Sequence, residues 1–422
     1  MTSRGWSLAA DVLAEIDRTR APADRVLKRA LRGAPDLDND ERATLARSVH
    51  GVRCFERRLR FWLESSGVEP TPSSRIAAYR VAIEGEEPSR ICAASGRLLA
   101  ALHGIRDGAI LEPTDPLERL AIRGSIPTWF ADRLLGERGP VEAEALVDAL
   151  NRAGPIAVRA NALLITKDRL SARLAAEGKR VAPGRLGKDA LRLLGRPDIR
   201  GSEAWRSGLF EVQDEGSQLV AEAVGAAPGE TVIDLCAGAG GKTLALAASM
   251  RDQGRLVAAD PDRTRLADLR ARLARVRLRS VEPVELRPDG SPILPLPPLP
   301  RADRVLVDAP CSQLGTLRRG PDRRWQIDEE SAGVFPALQL EILRRGAALV
   351  RPGGRLVYAT CTVLAAENQR VVEQLLAAET DFAPAPVVPE ILPDDAPGQL
   401  ELLPHRHDTD GFFIAAFERR SR

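Results

Sequence analysis

The spacing of apolar residues changes twice along this chain, and each change marks a new kind of structure. Leu45, Val49, Val52, Leu59 and Leu63 recur at the spacing of one helical face. Asp38 stands before the stripe with Glu41 three residues on, a capping box, and Gly67 follows as a stop. Shorter stripes over 7–16 and 25–31 carry helical texture to about Leu111. A second segment opens near Pro127-Thr128-Trp129-Phe130. It predicts an amphipathic helix over 141–153, a strand over 156–161, a helix over 168–177 and a strand over 208–212. From about Gln213 onward short β-forming runs alternate with helical stripes. Strands are predicted over 231–235, 255–259, 284–287, 304–307 and 355–360, with a final one over 412–417. Helices are predicted over 243–250, 263–277 and 337–349. The Pro-rich stretches 288–300 and 382–397 read as loops.

Strand–helix alternation predicts a parallel sheet covered by helices on both faces, with ligands at the carboxyl ends of the strands. The expected fold class is therefore α/β. A Rossmann-like, mostly parallel, doubly wound sheet is preceded by a small α+β subdomain and an all-α domain, with boundaries at 1–125, 126–212 and 213–422. A chain of 422 residues is long enough for two or three domains.

Composition narrows the setting. No apolar run approaches the roughly 20 residues that span a bilayer, and Met1-Thr2-Ser3-Arg4-Gly5-Trp6 lacks a signal-peptide core. A cytoplasmic protein without membrane contact is expected. Cys54, Cys92, Cys236, Cys311 and Cys361 are odd in number and scattered, which predicts free thiols. With no C-x-x-C and only His405 and His407 as paired histidines, no metal site is expected. A net charge of +2 neither supports nor excludes nucleic acid. Arg53, Arg57, Arg58 and Arg60 read as a solvated helix face, with an RNA-facing patch as the alternative; Arg265, Arg272, Arg275 and Arg279 read as a solvated face.

The chemistry concentrates at three strand ends. Val305-Leu306-Val307 runs into Asp308-Ala309-Pro310-Cys311-Ser312, and Leu356-Val357-Tyr358 runs into Ala359-Thr360-Cys361-Thr362. Two strands ending in loop cysteines bring two thiols to one sheet edge. Upstream, Asp234-Leu235-Cys236-Ala237-Gly238-Ala239-Gly240-Gly241-Lys242-Thr243 forms a glycine-rich turn opening a helix. It fits neither a P-loop, because Cys236 stands where a glycine is needed, nor a dinucleotide fingerprint, whose third glycine would fall at Thr243. A nucleoside cofactor without a pyrophosphate suits it. The turn's N–H groups approach a carboxylate, Asp260 accepts the ribose hydroxyls, and Asp289 reaches an adenine amine. S-adenosylmethionine offers all three groups.

Beside such a cofactor, a thiolate suits methylation of cytosine C5. Attack at C6 makes C5 nucleophilic, C5 takes the methyl group, and loss of the C5 proton expels the thiol. Asp308, three residues before Cys311, is placed to hold the base edge. Chemistry alone leaves open which of Cys311 and Cys361 attacks. Cys236 reads as packing, and Cys54 and Cys92 as core residues.

Four blocks resemble the RNA 5-methylcytosine methyltransferases of the Fmu/Sun type. They are Val212-Gln213-Asp214-Glu215-Gly216-Ser217-Gln218, the Asp234–Thr243 turn, the stretch from Asp308 to Trp325 with Arg318-Arg319-Gly320-Pro321-Asp322-Arg323-Arg324-Trp325, and Thr360-Cys361-Thr362 with Glu367-Asn368. The resemblance runs from about Pro127 to the end. The first segment resembles the antitermination factor NusB through Ala23-Asp24 and Gly51-Val52-Arg53. The resemblance implies that Cys361 attacks C6 and that Cys311 helps release the product. It implies cofactor contacts along Cys236, Ala237, Gly238, Ala239, Gly240, Gly241 and Lys242; Asp260, Asp289 and Asp308 complete the expected cofactor set. It matches Arg159 and Asn161 to an Arg-x-Asn in a small RNA-binding subdomain. The implied partner is RNA, small-subunit rRNA before tRNA, bound by a monomer. Arg318, Arg319, Arg323 and Arg324 are expected to bind the RNA backbone or order the active-site loop. The chain departs from the family at Gly238-Ala239, usually Ala-Pro, and at Gln313-Leu314-Gly315, usually Gly-Thr-Gly. Two other readings stay open: an RNA-binding assembly factor with an idle catalytic domain, and a DNA cytosine methyltransferase in which the Pro-Cys thiol attacks.

Overall fold

The structure is a computed structural model that describes residues 1–91, 96–195, 197–287, 301–388 and 390–421. The chain divides into two compact units. One comprises Met1–Ala153 with Thr316–Ser331, the other Gly154–Gly315 with Ala332–Arg422. Among the described residues no helix is long and apolar enough to cross a membrane.

The first unit is helical: α1 (Ser3–Thr19), α2 (Ala23–Arg32), α3 (Asn39–Ser65), α4 (Pro72–Ala82), α5 (Gly96–Arg106), α6 (Pro116–Arg123) and α7 (Thr128–Leu150). Side chains of Thr2, Asp38, Thr71 and Asp115 accept N–H groups three residues on and so fix four of the helix starts. The predicted stripe on α3 is the core of this unit, where Leu45, Val49, Val52, Leu59 and Leu63 meet Leu13, Ile16 and Ile76. Helices α3 and α4 pack closely because residue 51 has no side chain. A Cβ on Gly51 would lie 2.0 Å from the Tyr79 ring.

Residues 316–331 belong to this helical unit although the sequence places them amid catalytic motifs. Arg324 has no exposed surface. Its guanidinium donates to the carbonyls of Cys54, Gly124 and Ser125 and to Asn151 Oδ1. Asp322 accepts from Arg53 Nε at 2.6 Å and from Ala23 N at 3.0 Å, and Trp325 Nε1 donates to Arg53 O at 2.7 Å. Arg324 is thus a structural tie and not an RNA contact. The cations on α3 are not a solvated face either. Arg53 is buried on Asp322, Arg57 donates to Ile126 O and Thr128 Oγ1, Arg58 lies over the Trp62 ring, and Arg60 pairs with Glu56.

The second unit begins with a four-stranded antiparallel sheet in the order β2-β3-β1-β4. Its strands are β1 (Ile156–Ala160), β2 (Val181–Pro183), β3 (Ala190–Leu193) and β4 (Phe210–Val212); α8 (Lys167–Ala176) covers it through Leu170 and Leu174, and α9 (Glu203–Arg206) is a single turn. Then come α10 (Glu215–Val224), β5 (Thr231–Asp234), α11 (Gly241–Ser249), β6 (Arg255–Asp260), α12 (Arg263–Val276), β7 (Val281–Glu285), β8 (Ala302–Asp308), α13 (Glu329–Leu349), β9 (Val350–Thr360), α14 (Gln369–Ala378), β10 (Phe382–Pro384), β11 (Gln399–Leu402), α15 (Pro404–His407) and β12 (Phe412–Arg419). The main sheet has eight strands in the order β10-β12-β9-β8-β5-β6-β7, with β11 beside β12. Strands β5 to β9 pair in parallel; β12 returns antiparallel to β9. Chain order reverses between β5 and β8, and the carboxyl ends there form the crevice expected of such sheets.

Several elements begin earlier than the sequence pattern predicts: α7 at Thr128 and not 141, β8 at Ala302 and not 304, β9 at Val350 and not 355, and also β7 and α13. Strand β7 starts at Val281 because its position at the sheet edge tolerates Pro283. Helix α13 starts at Glu329 and continues through Pro336, which reads as a break in the sequence. Arg272 and Arg275 on α12 are not solvated; both reach the buried Glu211 of β4, and Arg275 stacks on Trp205.

Gly51→Ala should lower the stability of the helical unit by about 1–3 kcal/mol through overpacking against Tyr79. Gly136→Ala, in open space on α7, should leave stability equal or slightly higher. Thermal unfolding of the full chain checks both.

Candidate active site

The glycine turn is held from three sides. Gly238 and Gly240 adopt left-handed backbone angles, with φ of 54° and 85°. A Cβ on Gly240 would sit 2.2 Å from Leu269 Cδ1, whereas one on Gly238 would meet nothing within 4 Å. Asp260 at the end of β6 accepts from Gly238 N and Asp262 N, each at 2.8 Å. The carboxylate read as a ribose acceptor therefore also fastens the turn, and each oxygen keeps a second lone pair. Arg272 Nη1 donates to Ala239 O at 2.8 Å, a support the sequence reading missed because it took α12's arginines as solvated.

Asp234 closes β5 with 1% exposure. Its Oδ2 accepts from Thr243 Oγ1 at 2.7 Å, and its Oδ1 is buried without a partner. Burial pushes its carboxyl up to about 7, against the Thr243 hydrogen bond. Burial likewise pushes the Cys236 thiol well up, helped by Asp308, Asp234 and Asp260. That thiol is held neutral, in keeping with a packing role. Asp289 and Cys92 lie outside the described residues.

The two cysteine loops meet at the next strand ends. In β8 and β9, Asp308 stands opposite Ala359. Ala309 N donates to Ala359 O at 2.9 Å and Gly315 N to Cys361 O at 3.0 Å, so one loop follows the other. The Sγ atoms of Cys311 and Cys361 are 3.4 Å apart. Cys311 is buried and Cys361 partly exposed. The hydrogen bond to Cys361, burial, and the charges of Cys361 and Glu367 push the Cys311 thiol well above the usual range.

Lys242, read from the sequence only as part of the cofactor turn, is the positive group of this site. Its Nζ lies 2.7 Å from Asp308 Oδ2 and 5.4 Å from the centre of the Phe412 ring. Burial opposes its charge, but Asp308, Cys361 and Asp234 outweigh burial and raise its pKa. One signal was visible: Lys242 is one of five lysines in a chain whose other cations are arginines. A compact ammonium fits among two carboxylates and a thiol where a planar guanidinium fork does not.

The family model for 16S rRNA methyltransferase RsmB/F matches residues 221–418, and one for the ferredoxin-like domain of RsmF/B-like methyltransferases matches 126–200. The probable ribosomal RNA small subunit methyltransferase B of Synechocystis sp. is 30% identical over 444 residues, covering 98% of each chain. This chain belongs to the RsmB/F methyltransferase family. The ribosomal RNA small subunit methyltransferase B of Serratia proteamaculans is 30% identical over 421 residues, covering 98% of this chain and 94% of that protein. A methyltransferase homolog protein from Pyrococcus horikoshii superposes with a TM-score of 0.63 at 27% identity, covering 73% of this chain and all of that one.

RsmB/F membership makes S-adenosylmethionine the methyl donor. The residues fit it. Open space lies over Gly238, and the unpartnered Asp234 Oδ1 stands at the base of the turn. Asp260 is fastened to the turn through Gly238 N. The family's first departure keeps the turn small. The second places Gln313 in a left-handed conformation, φ 65°, where RsmB/F relatives are expected to carry glycine.

Two predictions follow from these angles and charges. Gln313→Gly should raise stability by about 1 kcal/mol, because a non-glycine residue pays a steric cost in that region; chemical denaturation measures it. Asp234 favours its protonated form when folded. Its contribution to stability is complete below the ordinary carboxylate range near about 4 and is lost as pH rises through about 7. Asp234→Asn should flatten that loss, so the cofactor-free variant should melt at or above the parent's temperature at pH 8 and not at pH 4.

Proposed function

We propose that this protein methylates C5 of a cytosine in small-subunit rRNA through a covalent bond between Cys361 Sγ and C6. The observation that carries the reading is the thiol pair, whose sulfurs lie 3.4 Å apart. Two thiols this close do not ionise together, since the first negative charge opposes the second. Lys242 lies within electrostatic reach of Cys361, and Glu367 within reach of Cys311. Cys361 is also the more exposed of the two sulfurs. This supports Cys361 as nucleophile on grounds independent of motif resemblance.

The steps follow from this division. The Cys361 thiolate adds to C6 and the electron pair moves onto the ring, so that C5 becomes nucleophilic. Asp308 accepts from the exocyclic amine and holds the base edge, while Lys242 Nζ, 2.7 Å away, holds that carboxylate in place. Bound S-adenosylmethionine supplies an electrophilic methyl group at C5. The C5 proton is then removed, the C5–C6 double bond re-forms, and the sulfur of Cys361 leaves. Cys311 stands beside that sulfur and assists its release. The small α+β piece and the helical region present the RNA. The relatives' names support rRNA of the small subunit as substrate, and such work is done in the cytoplasm.

Isotope transfer from labelled cofactor to rRNA tests the roles. Cys361→Ala should abolish transfer and leave no adduct. Cys311→Ala should accumulate a protein–RNA adduct that survives denaturing electrophoresis. Full transfer by Cys361→Ala protein would reverse the assignment. Lys242→Met should lower kcat by about 100-fold, the scale of one lost preorganised charge.

A further inference from the structure

Glu367-Asn368 has no part in the steps above, yet both residues are fully buried against the cysteine loops. We propose that Glu367 and Asn368 are positioning residues that set the spacing of the two thiols, gripping the chain on both sides of each cysteine from one buried turn.

The grip on Cys311 runs through Glu367 Oε2. It accepts from Ser312 N at 2.9 Å and from Gln339 Nε2 at 2.9 Å. The same Gln339 nitrogen donates to Pro310 O at 3.0 Å. The residue after Cys311 is thus tied to this carboxylate directly, and the residue before it through Gln339. The grip on Cys361 uses Asn368. Its Oδ1 accepts from Thr360 Oγ1 at 2.5 Å, and its Nδ2 donates to Thr362 O at 3.2 Å. A third connection joins the loops directly. Ser312 Oγ and Thr362 Oγ1 are 2.6 Å apart, and Thr362 Oγ1 reaches Glu367 Oε1 at 3.3 Å. The hydroxyls form a chain in which Ser312 donates to Thr362 and Thr362 donates to Glu367. Tyr358 Oη holds the turn itself by donating to Glu367 O at 2.6 Å.

Only a carboxylate completes this arrangement. Both oxygens of Glu367 receive donors, and no cation pairs with it among the described residues. A glutamine would turn an N–H toward one of those donors. Burial raises the Glu367 pKa, and the Ser312, Gln339 and Thr362 donors oppose that rise. The groups facing Cys311 are Cys361, Glu367 and Tyr358. The carboxylate therefore acts on Cys311 through position and charge without touching the substrate. The role rests on the two-thiol reading of the reaction.

The test measures thiol spacing without RNA. Diamide takes two protons and two electrons from a pair of thiols as their S–S bond forms, and is itself reduced to the hydrazine. In the full chain, the Cys311–Cys361 disulfide should close readily, as followed by peptide mass spectrometry. Glu367→Gln should slow closure roughly tenfold or more, since an ångström of misplacement has effects of this size or larger on proximity-driven steps. The same variant should lose kcat with KM unchanged and should accumulate the Cys361 adduct. A residue that only stabilises the fold would lower the melting temperature and leave the closure rate of the folded protein unaltered. Closure at the parent's rate in folded Glu367→Gln protein overturns the proposal. If that variant does not fold, Ser312→Ala and Asn368→Ala decide on the same measurement, where slowed closure supports the proposal and parental rates overturn it. Methyl transfer by Cys361→Ala protein would instead sink the two-thiol reaction and leave the closure rates to stand by themselves.

Discussion

The parallel pairing of β8 with β9 is the constraint on which the active site depends. Their register sets Asp308 against Ala359, so the loops that follow leave the sheet side by side. Because parallel strands present the same end to the same edge, two cysteines 50 positions apart in sequence become neighbours. Moving either strand by one residue would turn every side chain on it to the other face and separate the sulfurs. The apolar residues of these strands, Val305, Leu306, Val307, Leu356, Val357 and Tyr358, have no exposed surface, and that burial fixes the register.

Nearness alone would leave two equivalent thiols. The difference between them comes from charges on other elements. Lys242 enters from the first turn of α11 and pairs with Asp308, while Glu367 enters from the turn before α14. The glycine turn and the two cysteine loops are therefore one electrostatic unit. Lys242 lies in the turn, and its pairing with Asp308 ties the end of β8 to α11.

The helical unit shows how sequence position misleads about location. Residues 316–331 lie among catalytic motifs, and their arginines read as RNA contacts or as supports of the active-site loop. Instead Arg324 is spent inside the helical unit on three carbonyls and an amide oxygen. A guanidinium carries five donors in a fixed fork, which suits it to gather main-chain acceptors from separate segments. The same holds for Arg53 on Asp322 and for Arg272 and Arg275 on Glu211. In a chain this rich in arginine, a row of cations marks ion pairs between elements as readily as a nucleic-acid face.

The sequence by itself determined the elements and the reagents. Period-two and period-3.6 apolar patterns act over a few residues, and so β5, β6, β8, β9, β12 and the α3 stripe were legible, as were the glycine turn and both loop cysteines. The starts of α7, β7, β9 and α13 were not; in β7 and α13 local proline signals were overridden by an edge position and by helix packing. Tertiary structure decided which groups face one another: Lys242 toward Cys361, Glu367 toward Cys311, Arg324 into a helical core, Arg272 onto the cofactor turn. Groups separated by 33 or more residues carry no shared periodicity, and their pairing is set only when sheet order and register bring the ends of the strands together.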